Sequence, residues 1–222
     1  MGADRRTAEG FLLDVPGVLL RLTPTPLERF AYAAATRGLT FPSARLAAAL
    51  VVADRWWGNP SRRRPGTALR EWEDWVCYVG LALQELGIDP EEVIVEEVAA
   101  KVRADRWLTP APGAEQSLIA VAQRGPVGVL SNALPSTREA LDRHGLLQPL
   151  TCCLFSAERG RQLPDAAEYV FGAATLGLSA MQVTYVTAEA SLALGARKVG
   201  MQALLVHGVQ ALAETLGVDT AP

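Results

Sequence analysis

The chain has 222 residues, half of them hydrophobic and one-fifth charged, with a net charge of −3. That length and composition give a folded protein with a sizeable core, neither disordered nor fibrous. The mild acidity and the scattered arginines exclude the basic footprint of a nucleic-acid binder, and no partner of that kind is expected. The three cysteines, Cys77, Cys152 and Cys153, have neither a disulfide-framework count nor metal-ligand spacing, which fits a reduced, cytoplasmic interior. The uncharged run from Tyr169 to Ala188 is too rich in Gly, Ser, Gln and Thr for a membrane span.

Taken in order, residues 1–9 are polar, and Gly10 to Val15 reads as a first strand, hydrophobic on both faces as a central parallel strand must be. Arg5-Arg6 ahead of it is not taken as an export signal, because Asp14 and Pro16 interrupt the apolar stretch. The strand delivers Asp14 to its end, and Pro16-Gly17 turns the chain at once. Helical periodicity then takes over: Pro26-Leu27-Glu28 opens one helix, Ser43 is placed as the cap of a second, and two more span Thr67–Leu86 and Pro90–Asp105. Gly58 to Gly66, with Arg62, Arg63 and Arg64, has the composition of a loop.

After Trp107 helices and strands alternate. Helices are expected over 114–124, 136–144, 166–176, 191–199 and 209–216, and strands over 126–131, 151–155, 182–186 and 202–207. The fold class is therefore α/β, a Rossmann-like doubly wound parallel sheet with an inserted all-helical cap. The core domain takes residues 1–22 and 108–222, and the cap residues 23–107. Strand C-termini in such a sheet gather Asp14, Ser131-Asn132, Ser156 and Thr187-Ala188.

Four stretches resemble the haloacid dehalogenase (HAD)-like hydrolase superfamily, in its helical-cap branch. FLLDVPGVLL is similar to the first motif, an apolar strand with a nucleophilic Asp. TPAPGAEQSLIAVAQRGPVGVLSN is similar to the post-cap helix and second motif, SAERGRQLPDAAEYVFGAATLGL to the third-motif region, and VTYVTAEASLALGARKVGMQALLV to the fourth. The resemblance implies a Rossmann-like core, a nucleophile at Asp14 and a phosphate-binding hydroxyl at Ser131. It also shows where the chain departs from the pattern. The family's proton donor falls at Pro16, its phosphate-pairing lysine at Leu163, its acidic magnesium ligands at Thr187 and Ala188, and a further frequent Asp at Leu192.

These losses have a size. A missing general acid costs about 10²–10⁴ in rate, and a missing metal removes several kcal/mol of charge stabilisation. An ordinary magnesium-dependent phosphatase is therefore not expected, and magnesium binding should be weak or absent. No cofactor is implied. A dehalogenase is disfavoured too, since its ester hydrolysis needs a lysine and an activating carboxylate. Arg159, Arg161 and Glu189 are the nearest candidates to substitute for the missing charges.

Two readings follow. In one, the protein is a noncanonical, metal-independent enzyme with Asp14 as acid/base or nucleophile. In the other, it is an inactive HAD-like pseudoenzyme that binds a ligand or a protein partner. The expected ligand is a small molecule between cap and core, touching Ser131, Asn132, Trp56 and Trp57. Trp72, Trp75, Tyr78 and Trp107 are expected in the same aromatic group, with cap core as the plainer explanation. A homodimer is compatible with either reading. His144 and His207 are accounted for by a helix end and a strand end.

Overall fold

A computed structural model describes residues 8–59, 66–89 and 91–206. The loop arginines 62–64, the 209–216 helix and His207 lie outside the described residues.

The apolar segments after Glu9 assemble one sheet. β1 (Gly10–Leu13) is buried at all four positions, and so are β4 (Val127–Ser131) and β6 (Val183–Thr187) at all five. A strand covered on both faces must be apolar throughout, which is why GFLL, VGVLS and VTYVT carry no charge. β5 (Cys152–Phe155) and β7 (Gln202–Leu205) take the edges, in the order β5-β4-β1-β6-β7. All four pairings are parallel; Leu13 lies opposite Val129 on one side and Val186 on the other. Strand order reverses between β1 and β6, so their C-terminal ends open the crevice where such sheets bind ligands.

Around this sheet the chain runs through α5 (Ala114–Ala122), α6 (Thr137–Arg143), α7 (Ser156–Arg159), α8 (Ala166–Thr175) and α9 (Ala190–Lys198). Gly195 lets α9 seat closely, since a Cβ there would come 2.6 Å from Pro164 Cβ and 2.8 Å from Tyr169 Oη.

β1 ends at Leu13, two residues earlier than its apolar run suggests. The chain bends there because the Val15 carbonyl accepts from the amides of Val18, Leu19 and Leu20, with Gly17 at φ 76°. That turn leads into β2 (Leu20–Leu22), which forms a two-stranded sheet with β3 (Leu108–Pro110). Both are three residues long and too short to show an alternation in sequence.

The chain forms two compact units, one containing the described residues up to Arg21 and from Thr109, the other Leu22–Leu108. The second is built on α1 (Pro26–Ala35), α2 (Ser43–Trp57), α3 (Ala68–Glu85) and α4 (Glu92–Val102). α1 begins with a capping box: Thr25 Oγ1 accepts from the Glu28 amide at 3.2 Å, and Glu28 Oε2 accepts from the Thr25 amide at 2.7 Å. Ser43 does not cap α2. It is the first helical residue, after Pro42, and no side chain caps that end. Phe30, Leu46, Ala53, Val79, Leu83 and Val98 form the buried interior of this unit.

Candidate active site at the end of the first strand

Asp14 is the first residue beyond β1 and is 2% exposed. Its amide donates to the Val186 carbonyl at 2.8 Å, which fixes the backbone against β6. Its carboxylate then meets hydroxyls from both neighbouring strands. Oδ1 accepts from Ser131 Oγ, the last residue of β4, at 2.6 Å and from the Val15 amide at 2.9 Å. Oδ2 accepts from Thr187 Oγ1, the last residue of β6, at 2.8 Å. Thr187 Oγ1 itself accepts from the Glu189 amide at 3.1 Å, so its one proton is committed to Asp14.

A carboxylate oxygen has two lone-pair sites. Among the described residues Oδ1 fills both, while Oδ2 has one partner. Oδ2 is therefore the oxygen with capacity for a substrate.

Burial lifts the Asp14 carboxyl above its ordinary value of 3.8, and the nearby Glu189 carboxylate adds to the rise; the Ser131, Thr187 and Val15 hydrogen bonds oppose it. Desolvation is the largest cause, because a charge withdrawn from water is destabilised before any partner compensates it.

Two tyrosines lie close by. Tyr185, in the middle of β6, donates to the Leu130 carbonyl at 3.2 Å; Tyr169, on α8, donates to the Leu192 carbonyl at 2.8 Å. Their rings meet edge to face at 5.2 Å. Burial, then the Asp14 charge, pushes both hydroxyls up, so neither titrates near neutral pH. A tyrosine inside a fully buried strand needs a polar partner, and that need was the signal available in VTYVT.

Asn132 spends its carboxamide on the Leu163 backbone: Nδ2 donates to the Leu163 carbonyl at 3.0 Å and Oδ1 accepts from its amide at 2.9 Å. Leu163, 5% exposed, belongs to a core cluster with Leu12, Leu130, Tyr169, Tyr185 and Leu192. Pro16 is exposed in the turn and bridges to Leu20. Ala188 follows Thr187, and a Cβ at Gly17 would lie 3.0 Å from its Cβ. Arg159 is held by the buried Glu168 at 2.6 Å and stacks 3.6 Å over Phe171, so it is not a spare cation. Arg161 lies 3.8 Å from Asp165.

In the helical unit, Trp57 contacts Trp56, Trp75 and Tyr78, at ring separations of 6.4, 4.6 and 5.8 Å. Tyr78 donates to Asp54 Oδ1 at 2.9 Å. Trp107 does not join this group, contrary to expectation. It sits beyond α4 and packs edge to face on Tyr32 of α1 at 5.4 Å.

Solved structures share this architecture. The defluorinating L-2-haloacid dehalogenase Rha0230 matches with a TM-score of 0.67 at 22% identity, covering 88% of this chain and 80% of that one. Bacillus subtilis YfnB, named a HAD-hydrolase and bound to magnesium, matches at 0.70 and 12% identity, over 96% of this chain and 100% of its own. The chain has the HAD-like hydrolase fold. A third HAD-like relative, the L-2-haloacid dehalogenase from Xanthobacter autotrophicus with chloropropionic acid covalently bound, matches at 0.62 and 21% identity, covering 97% and 85% of the two chains. No family model matches the sequence, and no curated protein matches it either. At these identities the likeness establishes the HAD-like fold, and the chemistry must be argued from the site.

Among the described residues no group of three or more His, Cys, Asp or Glu is arranged to hold a metal ion, and no helix is long and apolar enough to cross a membrane.

Proposed function

We propose that this HAD-like protein is a metal-independent enzyme acting on a small molecule, with Asp14 Oδ2 as the reacting oxygen. The observation that carries the proposal is the desolvated carboxylate at the switch point, braced by hydroxyls from β4 and β6, with a lone-pair site of Oδ2 left over. The donor set does not suit magnesium, which takes an octahedron of oxygens, usually with one or two carboxylates and several waters. Three hydrogen bonds already engage the Asp14 carboxylate, and Thr187 offers a hydroxyl where the family places an acid.

A carboxyl with a raised pKa is suited to proton transfer. Ionised, Oδ2 takes a proton from the substrate; protonated, it returns one. Ser131 and Val15 hold Oδ1, and Thr187 keeps Oδ2 aimed. The same oxygen could act as a nucleophile. It would then form an ester with a substrate carbon and expel the leaving group with its electron pair. Water would cleave that ester, leaving alcohol, carboxylate and a proton. Acid–base use is preferred because Leu163 of the apolar cluster stands at the family's lysine position, and Thr187, whose proton goes to Asp14, stands where the activating carboxylate is placed. The substrate is neutral or cationic, since Leu163 supplies no charge and Arg159 is bound to Glu168.

The competing reading is a silent fold that binds without turnover. It draws on the 2% exposure of Asp14 and its three hydrogen bonds, which would equally suit a structural carboxylate. A panel of small esters, haloalkanes, lactones and hydroxy ketones, assayed in EDTA and in magnesium, separates them. The enzyme reading expects turnover on at least one class at the same rate in both buffers. Turnover that needs magnesium, or none on any class, overturns it.

A further inference from the structure

The helical unit carries a concavity of about 220 Å³, lined by Tyr32, Ala100, Lys101, Arg106 and Trp107. We infer that it is a binding site for a small aromatic anion, an aryl or heteroaryl ring bearing a carboxylate or phosphate.

Its walls and charges are set by separate local causes. Tyr32 stands 56% exposed on α1 with its ring edge to face against Trp107 at 5.4 Å, so two aromatic surfaces meet at an angle instead of closing on each other. Trp107 cannot swing away, because its Nε1 donates to the Lys101 carbonyl at 2.7 Å. The Lys101 ammonium is held by Thr36 Oγ1 at 2.7 Å, a neutral partner that orients the charge without cancelling it. Arg106 is exposed, and among the described residues no carboxylate lies within 4 Å of its guanidinium or of the Lys101 ammonium. The neighbouring acids are already used: Asp105 by Arg103 at 3.0 Å and Glu97 by Arg37 at 2.8 Å.

Among the described residues the charges lining the concavity are therefore all positive, and they flank an exposed ring. A planar guanidinium binds carboxylate or phosphate bidentately and an ammonium adds a point charge. An aromatic ligand stacked on Tyr32 or Trp107 keeps its acid group within reach of both. A ring with one acid group also matches the volume, whereas an aliphatic anion would leave the aromatic walls uncovered.

The site is independent of Asp14, and its test uses the full chain. Benzoate and phenyl phosphate, followed by calorimetry, should each bind with a Kd of about 1 mM, as expected for so few heavy atoms. The tighter of the two identifies the acid group. Benzyl alcohol and cyclohexanecarboxylate should bind at least tenfold more weakly. The double variant Lys101→Met/Arg106→Ala should lose binding at least tenfold with an unchanged melting temperature, Tyr32→Ala should weaken it severalfold, and Asp14→Asn should bind as the wild type does. Benzoate that fails to bind, that binds the double variant equally well, or that is matched by cyclohexanecarboxylate overturns the assignment.

Discussion

Replacing Asp14 by Asn should cost about 10³-fold or more in turnover while the folded protein becomes relatively more stable than the wild type as pH rises. Both effects come from one desolvated carboxylate. Burial holds its pKa above 3.8, so the folded chain binds that proton more tightly than the unfolded chain does. Stability from this group is complete below 3.8, declines as pH rises through the window between 3.8 and the raised folded value, and stays low above it. Asparagine has no such titration. Its amide does carry a fixed cost of about 1 kcal/mol, since Nδ2 facing Thr187 leaves that hydroxyl's proton without an acceptor. A fixed cost cancels in the pH dependence. Melting temperatures of both proteins, measured from pH 3 to 8, should therefore show the wild type losing ground to the variant towards neutral pH. Parallel curves would mean that Asp14 is not a desolvated acid.

The double variant Ser131→Ala/Thr187→Val should lower turnover by about 10²-fold and move the acidic limb of the pH profile upward. Val replaces Thr with nearly the same shape, so the change isolates the hydroxyl. Both hydroxyl hydrogen bonds stabilise the ionised carboxylate and oppose the effect of burial. Without them the charged form has only the Val15 amide, and a higher pH is needed to ionise it. The positioning role predicts a second sign: each single variant should shift the limb in the same direction by a smaller step. A downward shift, or lost rate at an unmoved limb, would mean that the hydroxyls serve the substrate directly.

Much of this arrangement is legible in the sequence, for reasons that particular residues make plain. Uncharged GFLL, VGVLS and VTYVT suit strands covered on both faces, and once their order is set, Asp14 and Ser131 fall at strand ends where ligands bind. What the sequence hides is what replaces a missing group. Thr187 stands where an acidic metal ligand is expected and reads as a loss; in the structure its hydroxyl is the partner of Asp14 Oδ2. A one-residue motif comparison registers the absent carboxylate and not the hydrogen bond that takes its place. Asn132 likewise reads as a ligand contact, yet both ends of its carboxamide close on Leu163, 31 residues away. Nor does helical spacing separate Trp107 from the Trp57 group, because Trp107 lies past the end of α4 and its neighbour is set by the packing of α1.

The helical unit also keeps a buried cation that no described carboxylate pairs. Arg29 is 4% exposed and donates from Nη1 to the Val102 carbonyl at 3.1 Å, while its Nε has no hydrogen-bond partner among the described residues. Burial draws its pKa down, and the nearby Tyr78 and Asp54 oppose that. The Asp54–Tyr78 hydrogen bond thus stabilises the unit twice, satisfying a buried hydroxyl and placing a negative charge near Arg29.

The central claim, that Asp14 is a desolvated carboxyl acting without a metal, can be tested before any substrate is known. In protein labelled with ¹³C at the aspartate carboxyls, the Asp14 resonance, assigned by its loss in Asp14→Asn, is followed against pH with and without magnesium. The account predicts a titration midpoint above the ordinary 3.8 that magnesium leaves unmoved. A midpoint at or below 3.8, or one that magnesium drives down, would contradict it.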